Sequence, residues 1–199
     1  LTEAKERRSE MGKVFQLGEN HFRTVIYPEA IHYWDAANKV YRSIDNRLVQ
    51  LADGLRNAAN GKLQVQLKEN LVQLANDRQQ EISWQLIQGR KVAPKQNLQQ
   101  KMESLFGKLL GTEHQLESEA VYEEILPGVD WRCKIQGEQF KDEIVFPALE
   151  QVQPVQFRLQ TNGLTLVQDE AEAMHLADAQ GEPAFYLPAP DAIGAKEEQ

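Results

Sequence analysis

Four stretches of the chain alternate strictly between apolar and polar residues. Leu63, Val65 and Leu67 are interleaved with Gln64 and Gln66; Ile82, Trp84 and Leu86 with Ser83 and Gln85; Val129, Trp131, Cys133 and Ile135 with Asp130, Arg132 and Lys134; Val155, Phe157 and Leu159 with Gln156 and Arg158. A period of two places successive side chains on opposite faces of a strand, so each stretch predicts a strand with one dry and one wet face. Strict alternation belongs to antiparallel sheets packed on a core through one face, because parallel sheets covered by helices read as continuous apolar runs. Trp84 and Trp131, in register with the apolar set, are expected in that core. Shorter segments rich in β-branched and aromatic residues, at 22–27, 30–34 and 40–44, are separated by Pro28-Glu29 and by the mostly polar run 35–39, and predict a meander of hairpins.

One segment departs from this pattern. Across residues 95–119, Leu98, Met102, Leu105, Leu109 and Leu110 recur at helical spacing among Gln, Lys and Glu, with Asn97 suited to cap the start. The expected fold is therefore all-β, mainly an antiparallel β-sandwich, with one inserted amphipathic helix. Residues 1–12 read as a charged linker and 191–199 as a C-terminal linker. The domain between them, 13–190, carries strand groups at about 13–92 and 120–190, and the pattern is compatible with one sandwich or with two sub-sheets.

Composition narrows the function classes. A chain of 199 residues buries roughly 70% of the surface its unfolded form exposes, enough for a proper core. With 41% hydrophobic and 26% charged residues it has the composition of a globular protein. It contains no apolar run near the roughly 20 residues that a membrane-crossing helix needs. The 22 basic against 30 acidic residues give a net charge of -8, which argues against a nucleic-acid partner. The single cysteine, Cys133, excludes an internal disulfide and a cysteine-based zinc site, and its place on a dry strand face predicts an inert buried thiol. The opening at Leu1, with no initiator methionine or apolar leader, predicts a module excised from a longer polypeptide.

No catalytic constellation emerges. His32-Tyr33-Trp34-Asp35 and His175-Leu176-Ala177-Asp178 share a His-x-x-Asp spacing, but residues three apart on a strand face opposite ways. Both copies read instead as hairpin tips, with the Asp bonding the turn and Asn38 or Gly181 taking the left-handed position. Glu123-Glu124 and Asp142-Glu143 cannot share a substrate for the same reason of alternation, and read as solvated faces and strand ends. Neither a Gly-x-Ser-x-Gly elbow nor a glycine-rich phosphate loop occurs. The expectation is a non-enzyme with no cofactor and no metal site. The aromatics of the first hairpin, Tyr33, Trp34 and Tyr41, are the candidate glycan-binding residues, since sugar rings stack on exposed indole and phenol faces.

Three blocks, in order, carry a resemblance. The first is Val25-Ile26-Tyr27-Pro28-Glu29-Ala30-Ile31-His32-Tyr33, then Asp35, then Tyr41-Arg42-Ser43-Ile44-Asp45-Asn46-Arg47-Leu48. The second runs from Val121-Tyr122 through Pro127-Gly128-Val129-Asp130-Trp131 and Gly137 to Phe140-Lys141-Asp142-Glu143-Ile144-Val145-Phe146. The third is Phe157-Arg158-Leu159, Gly163-Leu164, residues 178–181 and Phe185-Tyr186-Leu187-Pro188-Ala189-Pro190. Together they resemble the β-rich domain that precedes the repeats in bacterial Rhs/YD-repeat, wall-associated secreted proteins. Asn38 stands where that pattern usually has a turn glycine, Asp142 separates the lysine from the glutamate, and the 95–119 segment looks like an insertion.

The resemblance implies a secreted or cell-surface location and a non-catalytic accessory domain whose partners are other modules of the same polypeptide. A carbohydrate-binding module of the bacterial surface is the alternative, and a glycan-active enzyme stands behind both.

Overall fold

The computed structural model describes residues 2–96, 115–168 and 174–194. Among them the chain is all-β and antiparallel, with helical turns only at Lys5–Arg7 and Leu149–Gln151. In chain order the strands are β1 (Thr2–Glu3), β2 (Gly12–Gly18), β3 (His21–Ile26), β4 (His32–Asp35), β5 (Val40–Ser43), β6 (Asp45–Leu51), β7 (Gly54–Ala59), β8 (Leu63–Lys68) and β9 (Leu71–Asn76). They continue as β10 (Glu81–Leu86), β11 (Lys95–Gln96), β12 (Glu117–Leu126), β13 (Val129–Gln136), β14 (Gln139–Val145), β15 (Phe157–Gln160), β16 (Thr165–Gln168), β17 (Met174–Ala177) and β18 (Pro183–Leu187).

Two sheets form the sandwich. One has six strands in the order β15-β10-β9-β8-β7-β6, and the other four, in the order β11-β12-β13-β14. The alternating apolar positions read from the sequence supply both inner faces. Leu63, Val65, Leu67, Val72, Leu74, Ile82 and Leu86 from the first sheet meet Ala120, Tyr122, Ile125, Val129, Trp131, Cys133 and Ile135 from the second in one buried cluster. Tyr122 and Trp131 are fully buried and stacked, with ring centroids 4.5 Å apart, and the Tyr122 hydroxyl donates to the Leu71 carbonyl at 2.9 Å across the sandwich. A buried phenol and indole of this size dominate the apolar area removed from water, which is why they sit at the centre.

A small sheet, β16-β17-β18, closes one end by adding Leu164 and Leu176 to the same cluster. At the opposite side of the chain's order, the sheet β1-β2-β3 and the hairpin β4-β5 stand as separate units before the sandwich begins. Few of their side chains are buried; Ile31, His32 and Ile44 are the fully enclosed ones.

Several expectations change here. Of the two arrangements left open, the strand groups form one sandwich: β15 from the later group pairs with β10 from the earlier one, Leu86 opposite Phe157, and both groups feed a single core. The charged stretch read as a linker is, over residues 2–12, folded onto the first hairpin: Thr2 pairs with Gln16, Glu3 with Phe15, and the Arg8 guanidinium donates to both Glu3 carboxylate oxygens at 2.8 and 2.9 Å. The predicted helix falls mainly on 97–114, outside the described residues, while its flanks are strand: Lys95–Gln96 pairs with β12, and 117–119 opens β12 itself.

Candidate functional site

The β4-β5 hairpin carries all three aromatic candidates, and its register divides them. Trp34 lies directly opposite Tyr41, and Tyr33 opposite Arg42. Cross-strand partners share a face and neighbours alternate, so Trp34 and Tyr41 are brought together and Tyr33 is turned to the other side. The two rings meet edge to face, centroids 5.1 Å apart at 66°, a geometry favoured by the aromatic quadrupole. Trp34 is 51% exposed and Tyr41 half-buried, so about half of the tryptophan surface remains open to solvent. Tyr33 packs on Gly61, where a Cβ would lie 2.0 Å from its ring. It anchors the hairpin on the sandwich and does not belong to the open face.

The tip and the root of the hairpin are both fixed by polar contacts. At the tip, Asp35 accepts the Asn38 backbone N–H at 3.1 Å, the Asn38 side-chain amide at 2.7 Å and the Arg42 guanidinium. The Asn38 bonds, helped by Arg42, hold the Asp35 carboxyl below its ordinary range. The left-handed residue is Lys39, with φ 53°, and not Asn38, because Asn38 spends its side chain closing the Asp35 loop. In the second His-x-x-Asp copy the expectation holds: Gly181 has φ 83°, and Asp178 accepts the backbone N–H groups of Gln180 and Glu182 at 3.0 Å.

At the root, His32 is fully buried and its Nδ1–H donates to the Ser9 carbonyl at 2.8 Å, while Nε2 is enclosed without a partner. Burial holds this imidazole below its ordinary pKa, the Ser9 bond works against that, and the charges of Arg8 and Lys13 reinforce it. His32 and Asp35 thus serve separate structural ends and do not converge on a metal. Among the described residues no group of three His, Cys, Asp or Glu side chains is arranged to hold a metal ion.

A second aromatic group escaped sequence reading. Asp142 on the outer strand β14 lies opposite Cys133, and one of its oxygens accepts both indole N–H groups, Trp84 at 2.9 Å and Trp131 at 3.2 Å. Asp142 is exposed, as a residue of a solvated face should be, but its carboxylate is engaged by the two indoles. It sits at the open margin of the sandwich, where the residue itself stays exposed while its carboxylate crowds against apolar rings. That desolvation raises its pKa, against the pull of the two indoles. Glu143 next to it is half-buried, and Lys134 at 3.0 Å and Lys141 at 3.3 Å hold its carboxyl below the ordinary range. Trp84 also departs from expectation: it is half-buried at this margin, edge-on to Phe140, and not enclosed like Trp131. The signal available in the sequence was the apolar-facing register of Asp142 between Phe140 and Ile144. Cys133 is buried as expected, and burial pushes its thiol pKa up, away from thiolate chemistry.

A cleft of about 370 Å³ lies between the segment after β3 and the β13-β14 turn, lined by Glu29, Ala30 and residues 136–139. Glu138 Oε1 is enclosed there without a hydrogen-bond partner, and burial raises the pKa of the carboxyl. Behind it, three buried asparagines fix the turn. Asn46 donates to the carbonyls of Leu116 and Gly137, both at 2.8 Å, and its own oxygen accepts from Asn57 at 3.3 Å and Asn60 at 3.0 Å. Asn60 donates in turn to the Gly137 carbonyl at 2.8 Å. Gly137 has φ 54°, a left-handed turn position that glycine adopts without steric cost. Ile44 and Asn46, both fully buried, show that the Ile-Asp-Asn segment is structural, with Asp45 paired to Arg47 beside them.

Among the described residues no helix is long and apolar enough to cross a membrane. No protein-family model matches the chain, and no significantly similar curated protein or solved structure was found.

Proposed function

We propose that this chain is a non-catalytic structural and interaction module of a large secreted or cell-surface polypeptide of the Rhs/YD-repeat kind, with neighbouring modules of that polypeptide as its partners. The observation that carries the reading is the buried asparagine hub. Asn46, from the Ile-Asp-Asn segment of the resemblance, is committed on all sides to holding Leu116, Gly137, Asn57 and Asn60, so the motif builds a rigid scaffold. Deleting residues 13–190 from the parent polypeptide is expected to expose the flanking modules to limited proteolysis. Unchanged protease resistance of those modules would refute the proposal.

The exposed Trp34-Tyr41 pair favours a second reading, binding of a bacterial surface glycan by stacking on the open indole. In affinity electrophoresis through immobilised cell-wall polysaccharide, this reading expects a retarded wild type and an unretarded Trp34→Ala. Equal mobility of the two in every polysaccharide eliminates it and leaves the structural reading.

A further inference from the structure

Sheets end in edge strands whose unpaired N–H and C=O groups invite another chain, and folded proteins usually blunt them. Among the described residues β15 and β16 are four residues long, and the seven-residue edge β6 is covered at its start, where the Asn46 N–H donates to the Gln115 carbonyl at 2.7 Å. On β14 the sequence Lys141-Asp142-Glu143 includes an inward-facing carboxylate; β18 starts at Pro183 and is followed by Pro188; β1 and β11 are two residues long. Strand β3 differs. It is six residues long, pairs only with β2 in the order β1-β2-β3, has no proline, and carries one full charge, Arg23. The bulge in this hairpin falls on β2, between Gln16 and Gly18, so β3 itself is regular. All of its residues except Val25 are exposed.

The backbone polarity of that edge can be read directly. The Tyr27 N–H donates to the Met11 carbonyl at 2.8 Å, which marks Met11 and Tyr27 as a hydrogen-bonded pair. Bonded and non-bonded pairs alternate along an antiparallel ladder, so Val25 and Arg23 bond to β2, while Phe22, Thr24 and Ile26 direct their N–H and C=O groups outward. An independent bond agrees: the Val14 carbonyl, opposite Thr24, points away from β3 and accepts the Ala4 N–H at 2.8 Å.

We infer that β3 is a homodimerisation edge, at which two copies of this chain join β3 to β3 antiparallel with Thr24 on the twofold axis. The outward groups of Phe22, Thr24 and Ile26 can all be satisfied by a second β3 in a single register, in which Thr24 faces its own copy and Phe22 faces Ile26 of the other chain. That register sets the exposed Ile26 (78%) against Phe22 (39%), whose ring already carries the Arg7 guanidinium 4.1 Å from its centroid, and sets Arg23 against Val25, so no like charges are directly opposed. An isologous contact requires this self-complementarity, and the partner is a second copy because its edge is the one whose spacing and side chains are known to match. A six-residue ribbon is smaller than a standard interface of about 1,600 Å², which makes the dimer concentration-dependent. The inference stands independently of any glycan or module partner.

Sedimentation equilibrium of the whole chain over a dilution series tests it. The wild type is expected to pass from monomer to dimer, and Thr24→Lys, which sets two ammonium groups across the dyad, to remain monomeric with an unchanged melting temperature. Thr24→Pro removes an outward N–H that β2 does not use, and is the second disrupting variant. On mild oxidation Thr24→Cys is expected to form an interchain disulfide, since directly opposed residues lie about 5.5 Å apart, within the span of a disulfide. Arg23→Cys, diagonal to its copy, is expected not to. A wild type that is monomeric at every concentration overturns the inference. So does a dimer that survives Thr24→Lys, or one that cross-links through Arg23→Cys and not through Thr24→Cys.

Discussion

The sandwich and the N-terminal hairpins use the same strand chemistry and stand on different foundations. In the sandwich, two inner faces meet around Tyr122 and Trp131, and burial of large apolar side chains holds the sheets together. In β1-β2-β3 and β4-β5 the apolar residues are largely exposed; apart from Tyr33 packed on Gly61, the contacts that shape them are polar: the Arg8–Glu3 fork, His32 on Ser9, and Asp35 with Asn38 and Arg42. Apolar burial is non-directional and strong in sum, while each polar contact contributes little net stability but specifies geometry. The contrast separates a stable platform from a surface presented on it.

The largest effect is expected in the sandwich. Trp131→Ala removes the fully buried indole stacked on Tyr122, should cost about 3–5 kcal/mol, and would show as a lowered midpoint in urea unfolding. A change below about 1 kcal/mol would mean that the core does not centre on this ring.

Next comes the join between sandwich and cleft. Asn46→Ala strips donors from the Leu116 and Gly137 carbonyls and an acceptor from Asn57 and Asn60, and should destabilise by about 2 kcal/mol. Amide exchange should accelerate at the β13-β14 turn more than in β8 or β9. Uniform acceleration would show that the hub supports the whole fold and not the turn.

Acid should distinguish the two regions by sign. His32 has a folded pKa below its unfolded 6.5, so the stability it contributes is present above about pH 6.5 and is lost as pH falls through the folded value. Its protonated Nε2 would find no acceptor in the enclosed site, and the neighbouring Arg8 and Lys13 charges oppose protonation, with Glu3 opposing them. Asp142 behaves oppositely: its folded pKa lies above the unfolded 3.8, so its contribution is present below that value and is lost as pH rises through the folded one. Hydrogen exchange from pH 7 to 5 should therefore loosen β4 and the segment around Ser9 before β13 and β14. Asp142→Asn, which keeps an acceptor for the indoles, should flatten the sandwich's own pH dependence above about pH 4.

The smallest effect on stability belongs to Trp34→Ala, within about 0.5 kcal/mol, because half of the indole is already in water. A loss comparable to that of Trp131 would place Trp34 in a core and remove the basis for a glycan-stacking surface.

The inner faces of the sandwich were legible residue by residue. Leu63, Val65, Leu67, Val129, Trp131, Cys133 and Ile135 are buried where period-two alternation puts them, as is the turn role of Asp178 and Gly181. Asp142 was not, since a carboxylate in a strand reads as a wet-face residue unless the indoles that receive it, 58 and 11 positions away, are known. Trp84 shares the apolar period of Ile82 and Leu86, yet its sheet runs to its margin there, and period reports face and not distance from the edge. The Asn46 hub was invisible for a related reason. Its partners at Leu116 and Gly137 are 70 and 91 residues away, and no local pattern marks an amide that bonds across such a span.

By itself the sequence determined that this protein is antiparallel and β-rich, which residues face inward, and where the hairpins turn, because those properties follow from side-chain alternation and local turn chemistry. The tertiary structure decided what depends on contacts between segments distant in the chain. It merged two strand groups into one sandwich through β10 and β15, turned Tyr33 away from Trp34 and Tyr41, gave Asp142 to two indoles, and left β3 paired on one side alone. Local periodicity sets the face a residue occupies; only packing sets which other face it meets.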